Sequence, residues 1–101
     1  MGLMHFIKTE GTEEYVFRKD SFRFMQATYS SGATGTVNIY FAAEGNIVDP
    51  DLIALTVNKD FVAIVMSDVS KSLNNTDITQ VKHSQTGGIY KQVTAMVYTA
   101  G

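Results

Sequence analysis

The sequence predicts a mainly β fold with one α-helix, arranged as a strongly bent antiparallel sheet or a small open barrel. Short segments of alternating apolar and polar residues fill most of the 101 residues. Clusters of Gly, Ser, Asn and Asp separate these segments, and the gaps between them are too short for crossover helices. Only one stretch, Asn58–Asn75, has helical periodicity. Residues 1–101 are therefore predicted to form a single domain in the order β-β-β-β-β-α-β-β.

The helix is predicted over Asn58–Asn75 because its apolar residues recur every three or four positions. Asn58 is a suitable N-cap, and Asp60 and Lys71 carry charges that suit the two ends of the helix dipole. Asn74-Asn75 are expected to provide the left-handed residue that ends the helix. The side chains predicted to face the sheet are Phe61, Val62, Val65, Met66, Val69 and Leu73.

The strand segments are bounded by turn-forming residues and alternate between two faces. They are predicted at Leu3–Thr9, Glu14–Lys19, Phe22–Tyr29, Thr36–Ala43, Leu52–Val57, Asp77–His83 and Ile89–Thr99. The loops at residues 30–35 and 85–88 predict two hairpins. Phe22 and Phe24 are expected on one face of their strand as core residues, and Val93, Ala95 and Val97 on one face of the last strand. Apolar residues on both faces of several strands predict that part of the sheet is covered by other copies of the chain.

Composition excludes several classes of protein. The chain has no cysteine, so it can form neither a disulfide nor a thiolate metal site. No apolar run approaches the ~20 residues of a membrane span, and the first residues lack the pattern of a signal peptide. The net charge of −2 gives no overall attraction to polyanions, so any nucleic-acid site must be a local basic patch. No membrane partner is expected.

Candidate catalytic and metal sites are weak in this sequence. His5 and His83, the two histidines, have no spacing typical of metal ligands. Asp77, His83 and Ser84 have the residue types of a nucleophilic triad but lie within a few residues of one another on one predicted strand and its turn. Asp49 and Asp51 flank Pro50 in a typical turn, and Gly32–Gly35 lacks the Lys-Ser/Thr that follows a phosphate-binding loop. We therefore predict no enzyme activity, no catalytic or metal residue and no cofactor.

A basic and aromatic group in the second to fourth strands is the strongest binding candidate. Aromatic rings stack on unpaired bases while Arg and Lys contact phosphates, which is how sheet and barrel surfaces bind single strands. A second group surrounds the last predicted hairpin and includes His83 and Tyr90. The alternative is that the aromatic residues are core and the charged ones are the solvated face of each strand. The predicted nucleic-acid-binding residues are Arg18, Lys19, Arg23, Tyr29, Tyr40, Lys82 and Lys91.

In its arrangement the chain resembles small uncharacterised proteins of marine cyanophages and ocean metagenomes. The resemblance lies in the opening His-Phe-Ile-Lys segment at His5–Lys8, a Ser/Thr/Gly-rich hairpin, one helix containing Asn58–Val62, and two closing strands. Such proteins are similar to the Sm-like (LSm-like) fold, a bent five-stranded barrel with a helix that assembles into RNA-binding rings. Here the helix follows five predicted strands and no Arg precedes a Gly, so no Sm binding residue is carried over to this chain.

The resemblance and the residues together lead to an expected function. We expect a non-enzymatic, ring-forming homo-oligomer that binds RNA or single-stranded DNA in nucleic-acid processing. The alternative is a phage structural or assembly protein whose strand faces serve subunit contacts only. The implied location is the cytoplasm of an infected host cell or the virion.

Overall fold

The computed structural model describes residues 2–9, 12–29, 32–43, 46–83 and 92–101. Within them the chain forms seven strands and one α-helix, in the predicted order of five strands, a helix and two strands. The mainly β fold with one helix is thereby confirmed. The elements are β1 Leu3–Thr9, β2 Glu13–Arg18, β3 Phe22–Tyr29, β4 Thr34–Ala43, β5 Asn46–Asn58, α1 Val62–Leu73, β6 Ile78–Lys82 and β7 Val93–Thr99. Single 3₁₀ turns at Lys19–Ser21 and Lys59–Phe61 precede β3 and α1.

The strands form two sheets rather than one bent sheet, and the described strands do not close into a barrel. Sheet A has the order β2-β1-β6, and sheet B has the order β3-β4-β5-β7. All neighbours pair antiparallel except β1 and β6, which are parallel. The 3₁₀ turn at Lys19–Ser21 separates the sheets, because it ends the extended backbone of β2 before β3 begins.

Of the two predicted hairpins, one is confirmed and one is wrong. β3 and β4 pair antiparallel, with Tyr29 opposite Gly35. The predicted hairpin of Asp77–His83 with Ile89–Thr99 does not form, because β6 pairs with β1 and β7 pairs with β5. Each strand thereby contributes to the interior: Val81 lies beside Phe6, and Met96 lies opposite Leu55. Residues 84–91, which include the predicted loop, lie outside the described residues.

The helix packs on the inner face of sheet B with the predicted apolar stripe. Val62, Val65 and Val69 are fully buried, and Met66 and Leu73 pack at the edge of the same cluster. The fully or almost fully buried cluster also includes Met4, Phe6, Val37, Ile39, Phe41, Ile53, Leu55, Val57, Val81, Val93 and Met96. This core joins α1 to both sheets.

The ends of the helix differ from the prediction. Asn58 Oδ1 accepts from the Asp60 N–H at 2.9 Å, but that cap begins the 3₁₀ turn, and α1 itself starts at Val62. At the other end Asn74 has φ −90° and ψ −7°, which is right-handed, so the predicted left-handed stop at Asn74 is wrong. The Asn74 side chain instead donates to the Ser70 carbonyl at 3.1 Å, which satisfies a carbonyl of the last turn.

Two β-bulges change which residues of sheet B face the core. Phe22 lies opposite Phe41 and Phe24 opposite Tyr40, so Arg23 is an extra residue in β3. Phe22 contacts the core, but the side chain of Phe24 points to the other face and is 49% exposed, so the predicted common face is wrong. A second irregularity, at Thr94 in β7, places Val93 and Met96 inside and leaves Val97 52% exposed. Val93 therefore does not share a face with Val97.

Candidate nucleic-acid interface

Arg18 lies at the end of β2 and is exposed, but its guanidinium already has an anionic partner. Its Nε and Nη2 donate to the two carboxylate oxygens of Asp20 at 3.1 and 2.8 Å. This bond raises the pKa of Arg18 and lowers the pKa of Asp20. The pair neutralises most of the local field that a phosphate would meet.

Lys19 is placed inside the protein, where a nucleic acid cannot reach its ammonium. The residue is 6% exposed, and Nζ donates to Asn75 Oδ1 at 2.7 Å and to the Asn75 carbonyl at 3.5 Å. The Lys19 N–H donates to the Gly2 carbonyl at 2.9 Å. Burial lowers the pKa of Lys19, and the nearby charge of Asp77 acts in the opposite direction. In this arrangement Lys19 joins the start of β1 to the segment after α1.

Arg23 is next in sequence to one of two stacked aromatic rings on sheet B. Arg23 occupies the bulge of β3 and is exposed. The next residue, Phe24, stacks on Tyr40, with ring centroids 4.3 Å apart and planes 17° apart. Both rings lie on the face of sheet B away from α1. Arg23 and Tyr40 are thus the two predicted residues that lie at the same end of the β3–β4 pair.

Tyr29 lies far from Tyr40, at the other end of the β3–β4 hairpin and on the other face. Their register positions are five pairs apart, which is roughly 17 Å along the strands. The Tyr29 ring covers Gly35 on the helix side, where a Cβ at Gly35 would lie 3.3 Å from Tyr29 Cδ1 and 2.7 Å from Val62 Cγ2. The two tyrosines therefore cannot stack on neighbouring bases within one subunit.

The remaining predicted basic residues belong to sheet A or lie outside the described residues. Lys82 ends β6, opposite Ile7 of β1. His83 follows it, and its Nε2 bonds to the Thr94 carbonyl, which connects the ends of β6 and β7. Lys91 and Tyr90 lie outside the described residues. Across the described parts, the predicted basic residues are spread over both sheets rather than gathered in one patch.

The surface that sequence reasoning missed is the outer face of sheet B, meaning the side away from α1. It consists of three cross-strand rows, each with one residue from each of the four strands. None of the twelve residues is charged. Two of the apolar side chains, Phe24 and Val97, are about half exposed to solvent. The rows are Phe24-Tyr40-Leu52-Thr99, Gln26-Asn38-Ala54-Val97 and Thr28-Thr36-Thr56-Ala95. One signal in the sequence could have revealed this face. Phe22 and Met25 are both large apolar residues but lie three positions apart, so they can share the inner face only if a bulge between them breaks the strict alternation of β3.

A cleft of about 810 Å³ lies between β2 and residues of β4, β5 and β7 in sheet B. Five consecutive residues of β2, from Glu14 to Arg18, line one side, and Ala42, Asp51 and Tyr98 lie on the other. Tyr15 and Tyr98 stack at its base, with centroids 4.6 Å apart. Burial is the largest cause that raises the pKa of Tyr98, and the neighbouring carboxylate of Asp51 raises it further. Part of this effect is a side-chain hydrogen bond, in which the Tyr98 hydroxyl donates to the Asp51 carboxylate.

The described histidines do not form a metal centre. His5 Nε2 lies 2.7 Å from Glu14 Oε1, while His83 contacts the backbone of β7. Within the described ranges, no three His, Cys, Asp or Glu side chains are grouped so that they could hold a metal ion. Among the same residues, no helix has the length and apolar character needed to cross a membrane.

No family model, no curated protein and no solved structure matches the chain.

Proposed function

We propose that this protein is a non-enzymatic subunit of a homo-oligomer that assembles through the outer face of sheet B. The observation that carries the proposal is the absence of charge from all twelve positions of that face. In an antiparallel sheet with one solvated face, that face normally carries charged and strongly polar residues. Here the polar residues are uncharged Thr, Asn and Gln side chains, and exposed Phe24 and Val97 lie among them, which favours contact with another protein surface over contact with water.

The size of the face indicates what kind of assembly it supports. Four strands about 4.8 Å apart and three rows about 7 Å apart make a surface of roughly 400 Å². A stable interface buries about 800 Å² on each partner, so this face alone supports a weak contact. We therefore propose that each subunit has more than one neighbour. A closed ring, as in the Sm-like proteins that the chain resembles, meets this requirement.

The assembly is tested by measuring molar mass with light scattering over a range of protein concentrations. We expect the wild type to exceed the monomer mass and the Val97→Lys variant to lose mass, because its ammonium would be desolvated within the contact. Ile78→Lys is the matched control, since Ile78 is an exposed aliphatic residue of sheet A at 64% exposure. A wild type that stays monomeric at the highest concentration would overturn the proposal.

A second candidate function is binding of RNA or single-stranded DNA at the edge of the same face. It is favoured by the position of Arg23 next to the exposed Phe24–Tyr40 stack. An aromatic face can stack on a base while the guanidinium contacts the adjacent phosphate. Of the seven residues predicted from the sequence, this candidate uses Arg23 and Tyr40, and it adds Phe24.

The nucleic-acid candidate is tested with a fluorescently labelled oligonucleotide at several salt concentrations. We expect Arg23→Ala to weaken binding and to lower the salt dependence by about one phosphate contact. Lys59→Ala is the matched control, because Lys59 is an exposed basic residue on the turn before α1. Binding that does not depend on salt, or an equal loss of affinity in Arg23→Ala and Lys59→Ala, would exclude this nucleic-acid site. The outer face would then serve subunit contacts only, as expected of a phage structural protein.

A further inference from the structure

The strand β2 presents an edge that the described residues leave without a strand partner. It lies at the end of sheet A and pairs with β1 alone. The middle residue, Val16, is 54% exposed. The cleft described above runs along this edge, because Glu14, Tyr15, Val16, Phe17 and Arg18 all line it. An open edge next to a cleft is suited to accept another extended segment.

The charges along β2 are arranged so that the strand is complementary to itself in the antiparallel direction. Acidic residues stand at its start and Arg18 stands at its end. If Val16 lies opposite Val16 of a second copy, Glu14 lies opposite Arg18 of that copy, and Tyr15 lies opposite Phe17. On the outward face, the row Glu14-Val16-Arg18 of one copy then lies opposite the row Arg18-Val16-Glu14 of the other. A Glu14–Arg18 ion pair forms on each side of the two central Val16 side chains.

We propose that two copies of this chain pair antiparallel through β2, around a two-fold axis at Val16. The proposal rests on the homo-oligomer proposed above and names one of its contacts. The result is a continuous six-stranded sheet in the order β6-β1-β2-β2-β1-β6. Both copies bury the same patch, as an isologous contact requires, so a ring that contains this pair closes through two alternating kinds of contact rather than through one repeated heterologous contact.

Existing contacts of the two charged residues do not prevent this pairing. Glu14 Oε1 is bonded to His5, and Arg18 uses Nε and Nη2 for Asp20. A guanidinium has five N–H donors, and a carboxylate can accept at about four positions. The contact between copies therefore adds a partner to each group without replacing one.

The other edge strands of the described sheets lack this complementarity. β3 carries one charge, at Arg23, and β6 carries one, at Lys82. β7 carries none, so its charges cannot set the register of a partner. β2 is the single edge strand among those described that has opposite charges at its two ends. This pattern selects a second copy in antiparallel orientation over a parallel one.

A pair of charged substitutions at the two-fold axis tests the proposal directly. In Val16→Lys or in Val16→Glu, identical charges would face each other with Cβ atoms about 5 Å apart. We expect each variant alone to fall to a smaller mass in light scattering. An equimolar mixture should regain the lost contact, because Lys then faces Glu. A cooperative thermal unfolding transition in each variant establishes that both are folded, and Ile78→Lys serves as the matched surface control.

The outcomes separate this contact from the proposed function. If both Val16 variants keep the wild-type mass while Val97→Lys loses it, the β2 contact is wrong and the homo-oligomer stands. If both variants lose mass and the mixture does not recover, antiparallel pairing at Val16 is also overturned. A wild type that is monomeric throughout contradicts the homo-oligomer and the β2 contact together.

Discussion

The two faces of sheet B are made by alternate residues of the same strands, but one face is buried within the subunit and the other remains partly exposed. On the inner face, Ile39, Phe41 and Leu55 are fully buried under α1 and sheet A. On the outer face, their neighbours Tyr40 and Ala54 remain partly exposed, and no charge accompanies them. The single helix of the described residues therefore covers only the inner face of sheet B. Burial within the chain explains the stability of the subunit, while the outer face is the surface at which we propose that other copies bind.

The largest expected difference between the faces is at the adjacent residues Phe41 and Tyr40. Phe41 is fully buried and contacts Phe6, Phe17 and Phe22. Phe41→Ala should lower the free energy of unfolding by about 3–5 kcal/mol, because it removes buried area and leaves a cavity. Tyr40→Ala should cost about 1 kcal/mol, mainly the stack on Phe24.

Urea unfolding of the purified variants measures both values. Phe22→Leu serves as a conservative control at the border of the core. If Tyr40→Ala were as destabilising as Phe41→Ala, the outer face would contribute to the subunit core, and the contrast between the faces would be lost.

The close approach of α1 to the inner face gives the next largest effect. A Cβ at Gly35 would lie 2.7 Å from Val62 Cγ2, which is shorter than real contacts allow. Gly35→Ala should therefore cost about 1–3 kcal/mol of unfolding free energy through overpacking.

The double variant Gly35→Ala/Val62→Ala provides the control, because it removes the clashing methyl. Its cost should be less than the sum of the two single costs, measured by urea unfolding as a double-mutant cycle. Strict additivity of the two costs would show that the helix does not press on Gly35.

The order of elements was predictable from the sequence because it depends on local periodicity. The apolar stripe around Val65 and the alternation of β4 both identify an element and its buried face from neighbouring residues alone. Partner choice was not predictable in the same way. The parallel pairing of β6 with β1 joins residues more than seventy positions apart, and the sequence of β6 does not encode that partner. The bulge at Arg23 shifts the faces of β3 by one residue, so strict alternation wrongly predicts that Phe24 lies in the core.

The candidate site was less predictable than the fold because it depends on where each side chain points after folding. Lys19 looked equivalent to Arg18, but the 3₁₀ turn directs its ammonium into the junction with Asn75. Tyr29 and Tyr40 could have been separated by counting register from Gly35, which places them at opposite ends of the hairpin. The uncharged outer face could be recognised only once the pairing of all four strands was known.

The buried lysine gives a smaller effect that depends on pH. Lys19→Met should lower the free energy of unfolding at pH 7 by about 1 kcal/mol, because it removes the hydrogen bonds to Asn75 but also removes the cost of burying a charge. Burial lowers the pKa of Lys19 below 10.5 in the folded protein. Between the folded pKa and 10.5 the unfolded chain binds more protons, so the contribution of Lys19 to stability rises with pH there.

Urea unfolding of the wild type and Lys19→Met from pH 7 to 10.5 checks this prediction. The stability of the wild type relative to the variant should increase toward pH 10.5. A decrease over the same range would mean that the ammonium is stabilised by its partners more than it is destabilised by burial.

The smallest effect is expected at the exposed pair of Arg18 and Asp20, at the rim of the cleft. The hydrogen bonds from Arg18 lower the pKa of Asp20 from its usual 3.8. The pair is fully formed above pH 3.8, and its contribution is lost as the pH falls through the lowered pKa of the folded protein. In a carboxyl NMR titration the Asp20 midpoint should lie below 3.8 in the wild type and return toward it in Arg18→Ala. High salt should reduce this difference, since an exposed pair is screened. A midpoint unchanged by Arg18→Ala would mean that the Arg18 guanidinium does not hold this carboxylate in solution.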